Sequence, residues 1–192
     1  MSSAPSRNSS DPLTAALDAA TAHVVDAVRA LGVASPIVLI DGRSGAGKTS
    51  LARRLADAWP LAVPPQSLAL DSVYPGWDGL AAGVDIVRAD VLVPHRAGRV
   101  ATWRRWDWGA HAWAEEHRIH PDRPVVVEGA GILTAETAPL ADLRVWVHAP
   151  DEQRRVRALT RDGDTYRPHW ERWAAQEERH IATEDPASLA DI

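Results

Sequence analysis

The 192-residue chain has no cysteine, no phenylalanine and a single lysine. Without cysteine, disulfides and thiolate metal sites are excluded. Two tyrosines accompany nine tryptophans, so aromatic packing rests on indoles. No apolar run is long enough for a transmembrane helix. The first ten residues, MSSAPSRNSS, are small and polar, and no signal-like apolar stretch follows them. The expectation is a disordered tail over 1–10, one domain over 11–192 and a cytoplasmic location. The formal charge of −5 argues against broad binding to nucleic acid or to an anionic membrane. At 45% hydrophobic, the chain can bury the core of one domain.

The one lysine, Lys48, lies in the stretch Gly42-Arg43-Ser44-Gly45-Ala46-Gly47-Lys48-Thr49. That octet fits G-x-x-x-x-G-K-[ST], the phosphate-binding P-loop. The chain otherwise draws its permanent positive charge from arginine. It keeps one compact ammonium where a β/γ-phosphate must be reached. Gly42, Gly45 and Gly47 let the backbone turn so that N–H groups point at phosphate oxygens, with Arg43, Ser44, Ala46 and Ser50 completing the cradle. The Thr49 hydroxyl is placed to ligate Mg²⁺. The pattern predicts binding of a nucleoside triphosphate with Mg²⁺; ATP is the expected donor, and the motif does not exclude GTP.

The surrounding sequence supplies the context that this motif needs. Asp11 and Pro12 can start a helix that carries Leu13, Leu17, Val24, Val28 and Leu31 at helical spacing, until Gly32. Residues 36–41 (PIVLID) form a short apolar run suited to a buried parallel strand, and a helix is expected over 48–58. Further strands are expected at 67–71, 124–128 and 143–148. Helices are expected at 80–92, 110–117, 150–162 and 170–181, and a β-leaning excursion at 100–108. Residues 188–192 look like the start of another strand. Strands alternating with helices predict an α/β fold: three α/β/α layers around a mainly parallel sheet.

A GTPase normally reads guanine with Asn-Lys-x-Asp, which a chain with no second lysine cannot contain. No LSGGQ-like signature is present either, and the chain is short for a RecA-type motor. A compact phosphotransferase acting on a small molecule remains. Asp71 and Glu128 each end a predicted strand, where ligand sites of parallel sheets lie. Asp71 can take the proton of an attacking hydroxyl, with a turn cap as the alternative role. Glu128 can hold the metal, directly or through water, or simply face solvent. Arg154, Arg157 and Arg161 share one helical face and can clamp phosphates, in a lid over about 154–168 that Gly163 and Asp164 would make mobile. A solvated helix with surface ion pairs is the alternative for any one of them. Trp77, Trp103, Trp106 and Trp108 fall outside the predicted strands and helices and can stack on a substrate ring or serve as packing.

The chain resembles the uridine kinase-like family of P-loop small-molecule kinases over about 36–162. IDGRSGAGKTSLARRLA is similar to that family's opening strand, loop and helix. LDSVY is similar to its Asp-x-[FY]-Tyr segment, which puts Asp71 on the catalytic aspartate and Tyr74 beside it. Trp106-Asp107-Trp108 followed by His111 is similar to its Tyr-Asp-[FY]-x-x-His substrate motif. VVVEGAGIL and the arginines ending in Asp162 resemble its Glu-Gly-Ile-Leu strand end and its lid. Trp106 replaces the tyrosine, Trp113 stands where an arginine is common, and YPGWDGL does not match the acidic substrate loop. The resemblance implies transfer of the γ-phosphoryl group of ATP to a hydroxyl, with a nucleoside as acceptor. Lys48, Arg157 and Arg161 would act on the phosphates, and Tyr74, Trp77, Trp106, Asp107 and His111 on the acceptor. A sugar, vitamin or antibiotic alcohol is the alternative acceptor. A nucleotide-binding switch or regulatory ATPase is the alternative of another class.

Overall fold

The computed structural model describes residues 12–192; Asp11 and the tail over 1–10 lie outside the described residues. The two most apolar short runs of the chain become its central strands. These are β1 (Ile37–Asp41) and β5 (Val125–Glu128), whose residues are all buried. With β2 (Gln66–Ala69) and β6 (Leu143–Trp146) they form a sheet in the order β2-β5-β1-β6. Every pairing in it is parallel, with Ile37 opposite Val125 and Ile40 opposite Glu128. Alternate side chains of a strand serve opposite faces. Accordingly Ile37 and Leu39 enter one core with Leu68 and Val127, whereas Val38 and Ile40 enter a second with Val126 and Val145.

Helices cover both faces. The second core takes Val24 and Val28 of α1 (Pro12–Ala30) and Leu51 and Leu55 of α2 (Lys48–Asp57). The first takes Leu80 and Val84 of α3 (Leu80–Val87), and also Val91 and Leu92 of a wide π turn that leads into α4 (Val93–Arg96). After the hairpin strands β3 (Ala101–Asp107) and β4 (Ala112–Ile119) come α5 (Asp151–Tyr166), α6 (Trp170–Glu184) and α7 (Pro186–Leu189). Ala158, Trp170 and Trp173 close the first core. The three-layer α/β/α architecture expected from the sequence is present. Among the described residues, no helix is long and apolar enough to cross a membrane.

Several local expectations are corrected. Residues 110–117 are not helical, because 112–119 form β4, antiparallel to β3 with Trp103 opposite His117 and Trp106 opposite Trp113. Cross-strand pairs outweigh the local pattern there. The strand expected at 67–71 stops at Ala69, and Leu70–Ser72 turn tightly as Val73 and Tyr74 donate back to Leu70 O. The helical stretch from 80 extends past 92 to Arg96. The strand expected to reach 148 ends at Trp146. Gly163 breaks α5 (φ 55°, ψ −134°), yet helical turns resume and run to Tyr166. Ser188 lies in α7, and only Asp191 and Ile192 run along β6, where the Trp146 N–H donates to Ile192 O at 2.8 Å.

Candidate functional site

The carboxyl ends of β1, β2 and β5 bring the glycine loop, Asp71 and Glu128 to one edge of the sheet. The loop joins β1 to α2. Gly45 is its tightest point: φ is 77°, and a Cβ there would lie 2.1 Å from the Arg154 carbonyl oxygen. Only glycine permits both the left-handed backbone and the close approach. Lys48 opens α2, is buried, and donates to Gly42 O at 2.7 Å and Arg43 O at 3.2 Å. The next residue, Thr49, donates its hydroxyl to Glu128 Oε1 at 2.8 Å. Burial raises the Glu128 carboxyl above its ordinary pKa and the nearby Asp71 charge adds to this, while Lys48 and the Thr49 hydrogen bond oppose it. At the base of the loop, the buried Asp41 accepts the N–H groups of Gly42, Gly131 and Leu133 at 2.6, 2.9 and 2.8 Å.

The arginine face of α5 packs on the loop, and its three members differ in role. Arg154 is buried, donates to Ser44 O at 2.9 Å and pairs with Asp151, so it braces the loop from behind. The Nε of Arg157 donates to Gly45 O at 2.8 Å. Its Nη2 is buried and has no hydrogen-bond partner among the described residues. Arg161 is exposed and pairs with Asp162 at 2.7 Å.

Two cavities meet at this loop. A small one of about 140 Å³ is bounded by Leu13 and Leu17 of α1, by Gly45 and Gly47 of the loop, by Lys48 to Ser50 of α2, and by Arg157 and Arg161. A larger one of about 710 Å³ is bounded by Asp71, Trp77, Trp106, Trp108, Glu128 and Tyr166. Thr49, Ser50 and Arg161 border both. A group held on the loop therefore faces the large cleft, and the exposed Asp71 carboxylate stands on that cleft's wall.

Indoles line the cleft in two sets. Trp77 stacks on Tyr166 (5.4 Å, 12°) and His169 (4.4 Å, 15°) and leans on Trp108 (4.7 Å). The Trp108 indole N–H donates to Asp71 O at 2.8 Å, which ties the aromatic wall to the turn that carries the carboxylate. Trp106 meets Trp113 edge-on at 5.1 Å, and its buried indole nitrogen has no partner among the described residues. That nitrogen is an indole donor left without an acceptor among the described residues.

Some sequence-predicted positions lie elsewhere. Tyr74 lines the cleft, but it is 1% exposed and its hydroxyl donates to Ala130 O at 2.7 Å. Burial pushes that hydroxyl well above its ordinary pKa, with Asp71 the next cause, so it stays neutral. Trp103 is in the core, stacked on His117 at 4.6 Å. Asp107 accepts the Ala110 and Gly109 N–H groups at 2.9 and 3.0 Å and pairs with Arg105, which together lower its pKa. It holds the β3–β4 turn. His111 is exposed on that turn with φ 50° and is not among the residues lining the cleft.

Sequence reasoning missed Arg105 and Tyr166 on the cleft wall, and Glu177. Glu177 of α6 is 3% exposed and accepts the Ser44 N–H at 2.6 Å, the Trp173 indole N–H at 3.1 Å and Arg43 Nε at 3.2 Å. In sequence it sits in a charged run, QEERH. The available signal was its i+4 spacing from Trp173, on the apolar face of the helix.

No protein-family model matches the chain, and no curated protein matches it. Solved structures do. A structure from Bacillus stearothermophilus described as a "possible uridine kinase" superposes with a TM-score of 0.69 at 18% identity, covering 92% of this chain and 98% of that one. A "putative fructose transport system kinase" from Silicibacter sp. TM1040 superposes with a TM-score of 0.56 at 15% identity, covering 88% of this chain and 91% of that one. At such identities the likeness shows the fold. The chain has the α/β fold of P-loop kinases, with its glycine loop between the first strand and the helix that follows it.

Proposed function

We propose that this protein is a phosphotransferase that moves the γ-phosphoryl group of ATP to a hydroxyl of a small ring-bearing molecule, a nucleoside first. The observation that carries the reading is the shared border of the two cavities. Ser44 and Ser50 of the loop region, the Thr49–Glu128 pair and the Asp71 carboxylate all line one indole-lined cleft, and Lys48 lines the small cavity that shares Thr49, Ser50 and Arg161 with it. A donor phosphate on the loop and an acceptor in the cleft would then be neighbours. Holding reactants together is a large part of phosphoryl-transfer catalysis.

The residues would divide the work as follows. The small cavity suits the polyphosphate, and the donor nucleoside would extend past Leu13 and Leu17. Lys48 would turn its ammonium from the Gly42 and Arg43 carbonyls to the β- and γ-phosphates. The free Arg157 nitrogen and Arg161 would take the charge that spreads over the transferring group. Thr49 and Glu128 fit a magnesium ion, being hard oxygen donors placed together. Mg²⁺ takes few protein ligands and completes its shell with water and phosphate oxygens. When bound, it would neutralise charge on the β- and γ-oxygens. Asp71 would accept the acceptor hydroxyl's proton as that oxygen bonds to the γ-phosphorus, the bond to the bridging oxygen breaks and ADP leaves.

The indoles Trp77, Trp106 and Trp108 on the cleft wall favour a flat ring. A pyranose or another cyclic alcohol can also stack on such faces. The kinases compared above bear names pointing to both a nucleoside and a sugar, and the acceptor assignment allows for both. ADP release from Mg·ATP, measured against nucleosides, sugars, vitamins and antibiotic alcohols, tests the proposal. Release that depends on one acceptor class supports it. Slow release that no acceptor changes favours a nucleotide switch or regulatory ATPase instead.

A further inference from the structure

We infer that Glu177 is a positioning residue: it fixes the shape of the phosphate loop from behind and ties that loop to the wall of the acceptor cleft. The inference rests on the donor-site reading above and goes beyond it to a residue outside both cavities.

A buried carboxylate next to an anion-binding loop is out of place on simple electrostatics, since it repels the phosphates the loop would hold. Its contacts give it a purpose. The Ser44 N–H reaches Glu177 Oε1 at 2.6 Å, while Arg154 of α5 holds the same residue's carbonyl at 2.9 Å. Ser44 is thus gripped at its N–H by α6 and at its C=O by α5. Arg43 pairs with the other carboxylate oxygen at 3.2 Å and offsets the charge. The Ser44 N–H is committed to Glu177 and the Ala46 N–H to Arg43 O at 3.0 Å, so the loop is held in shape by its own bonds as well as by α6. Such a loop is shaped before its ligand arrives, and that lowers the ordering cost of binding.

The same Oε1 also accepts the indole N–H of Trp173 at 3.1 Å. Trp173 borders the acceptor cleft and meets the Tyr74 ring edge-on at 4.8 Å. The preceding residue, Gln176, donates to the Trp77 carbonyl at 2.8 Å, so α6 also anchors the Trp77 side of the cleft. One carboxylate oxygen therefore joins the cleft wall to the loop. A shift of Trp173 on acceptor binding would be felt at Ser44.

The test is the affinity of the full chain for Mg·ADP, by calorimetry, for wild type, Glu177→Ala, Glu177→Gln and Trp173→Phe, with a thermal transition for each. No acceptor is needed. Glu177→Ala removes a charged acceptor from two loop donors and should weaken binding by about tenfold or more. Glu177→Gln keeps an oxygen for Ser44 but sets an amide against Arg43, and should fall between alanine and wild type. Trp173→Phe keeps the aromatic packing, loses the N–H, and should weaken binding about two- to threefold. The graded order is the signature, because a residue needed for stability alone would move the thermal transition and leave the affinity of the folded chain unchanged. Unchanged affinity in folded Glu177→Ala, or in Glu177→Gln should the alanine variant not fold, overturns the inference with the donor site intact. A wild-type chain that binds no Mg·ADP overturns the donor-site reading, and this inference with it.

Discussion

The Thr49 hydroxyl donates to Glu128 Oε1 at 2.8 Å, joining the residue after the loop lysine to the end of a neighbouring strand. If this pair receives Mg²⁺, the Thr49 oxygen must be released from Glu128 to bind the metal. Thr49→Ala should then raise the Mg²⁺ concentration needed for half-maximal ADP release several-fold, with ATP affinity in saturating Mg²⁺ less affected. A magnesium titration at fixed ATP measures this.

Glu128 also carries a pH signature. Its folded pKa is raised above the ordinary 4.5, chiefly by burial. Such a group favours the folded state when protonated, so its stabilising contribution is complete below about pH 4.5 and is lost as pH rises through the raised value. At neutral pH the ionised carboxylate is a cost that neutral glutamine avoids. Glu128→Gln should raise the thermal midpoint at pH 7 without metal, and this gain should shrink toward pH 4. Thermal scans across that window check the sign.

Lys48 is the only ammonium side chain in the protein and is held by two loop carbonyls. Lys48→Ala should weaken Mg·ATP binding by roughly tenfold or more, from the loss of charge-assisted hydrogen bonds. Lys48→Arg should not restore it, because the small cavity leaves little room for a planar guanidinium beside Arg157. Calorimetric affinities for the two variants decide the matter.

Gly45 sits at φ 77° with the Arg154 carbonyl where a Cβ would go. Gly45→Ala incurs roughly 1–2 kcal/mol for the left-handed backbone alone, and the contact forces the loop and α5 apart. A lower thermal midpoint together with lost nucleotide binding is the expected result.

What the sequence disclosed and what it hid follow from the range of the interactions. The loop octet, the strands at 37–41 and 125–128 and the helix at 48–57 are set by neighbours in the chain, and they stand where the periodicity placed them. Residues 110–117 look helical by local pattern, but 112–119 have their partners in β3, and cross-strand pairing makes them a strand. Asp71 reads in the sequence as the last residue of a strand, but that strand stops at Ala69 and Asp71 lies in the tight turn that Trp108 holds. Glu177 was hidden because Ser44 and Arg43 lie 133 and 134 residues away, and only the tertiary fold brings α6 to the loop. Trp77 and Trp106 were legible as unusual, but their division into a stacked set and an edge-on pair comes from packing.

The most direct test of the central claim is transfer of labelled phosphate from γ-labelled Mg·ATP to an acceptor, comparing wild type with Asp71→Asn. The account predicts a phosphorylated small molecule from the wild type. It predicts a rate lower by about 10²–10⁴-fold in the variant, the usual contribution of a general base, with ATP affinity little changed. Label that reaches only inorganic phosphate whatever acceptor is offered, or full transfer by Asp71→Asn, would contradict it.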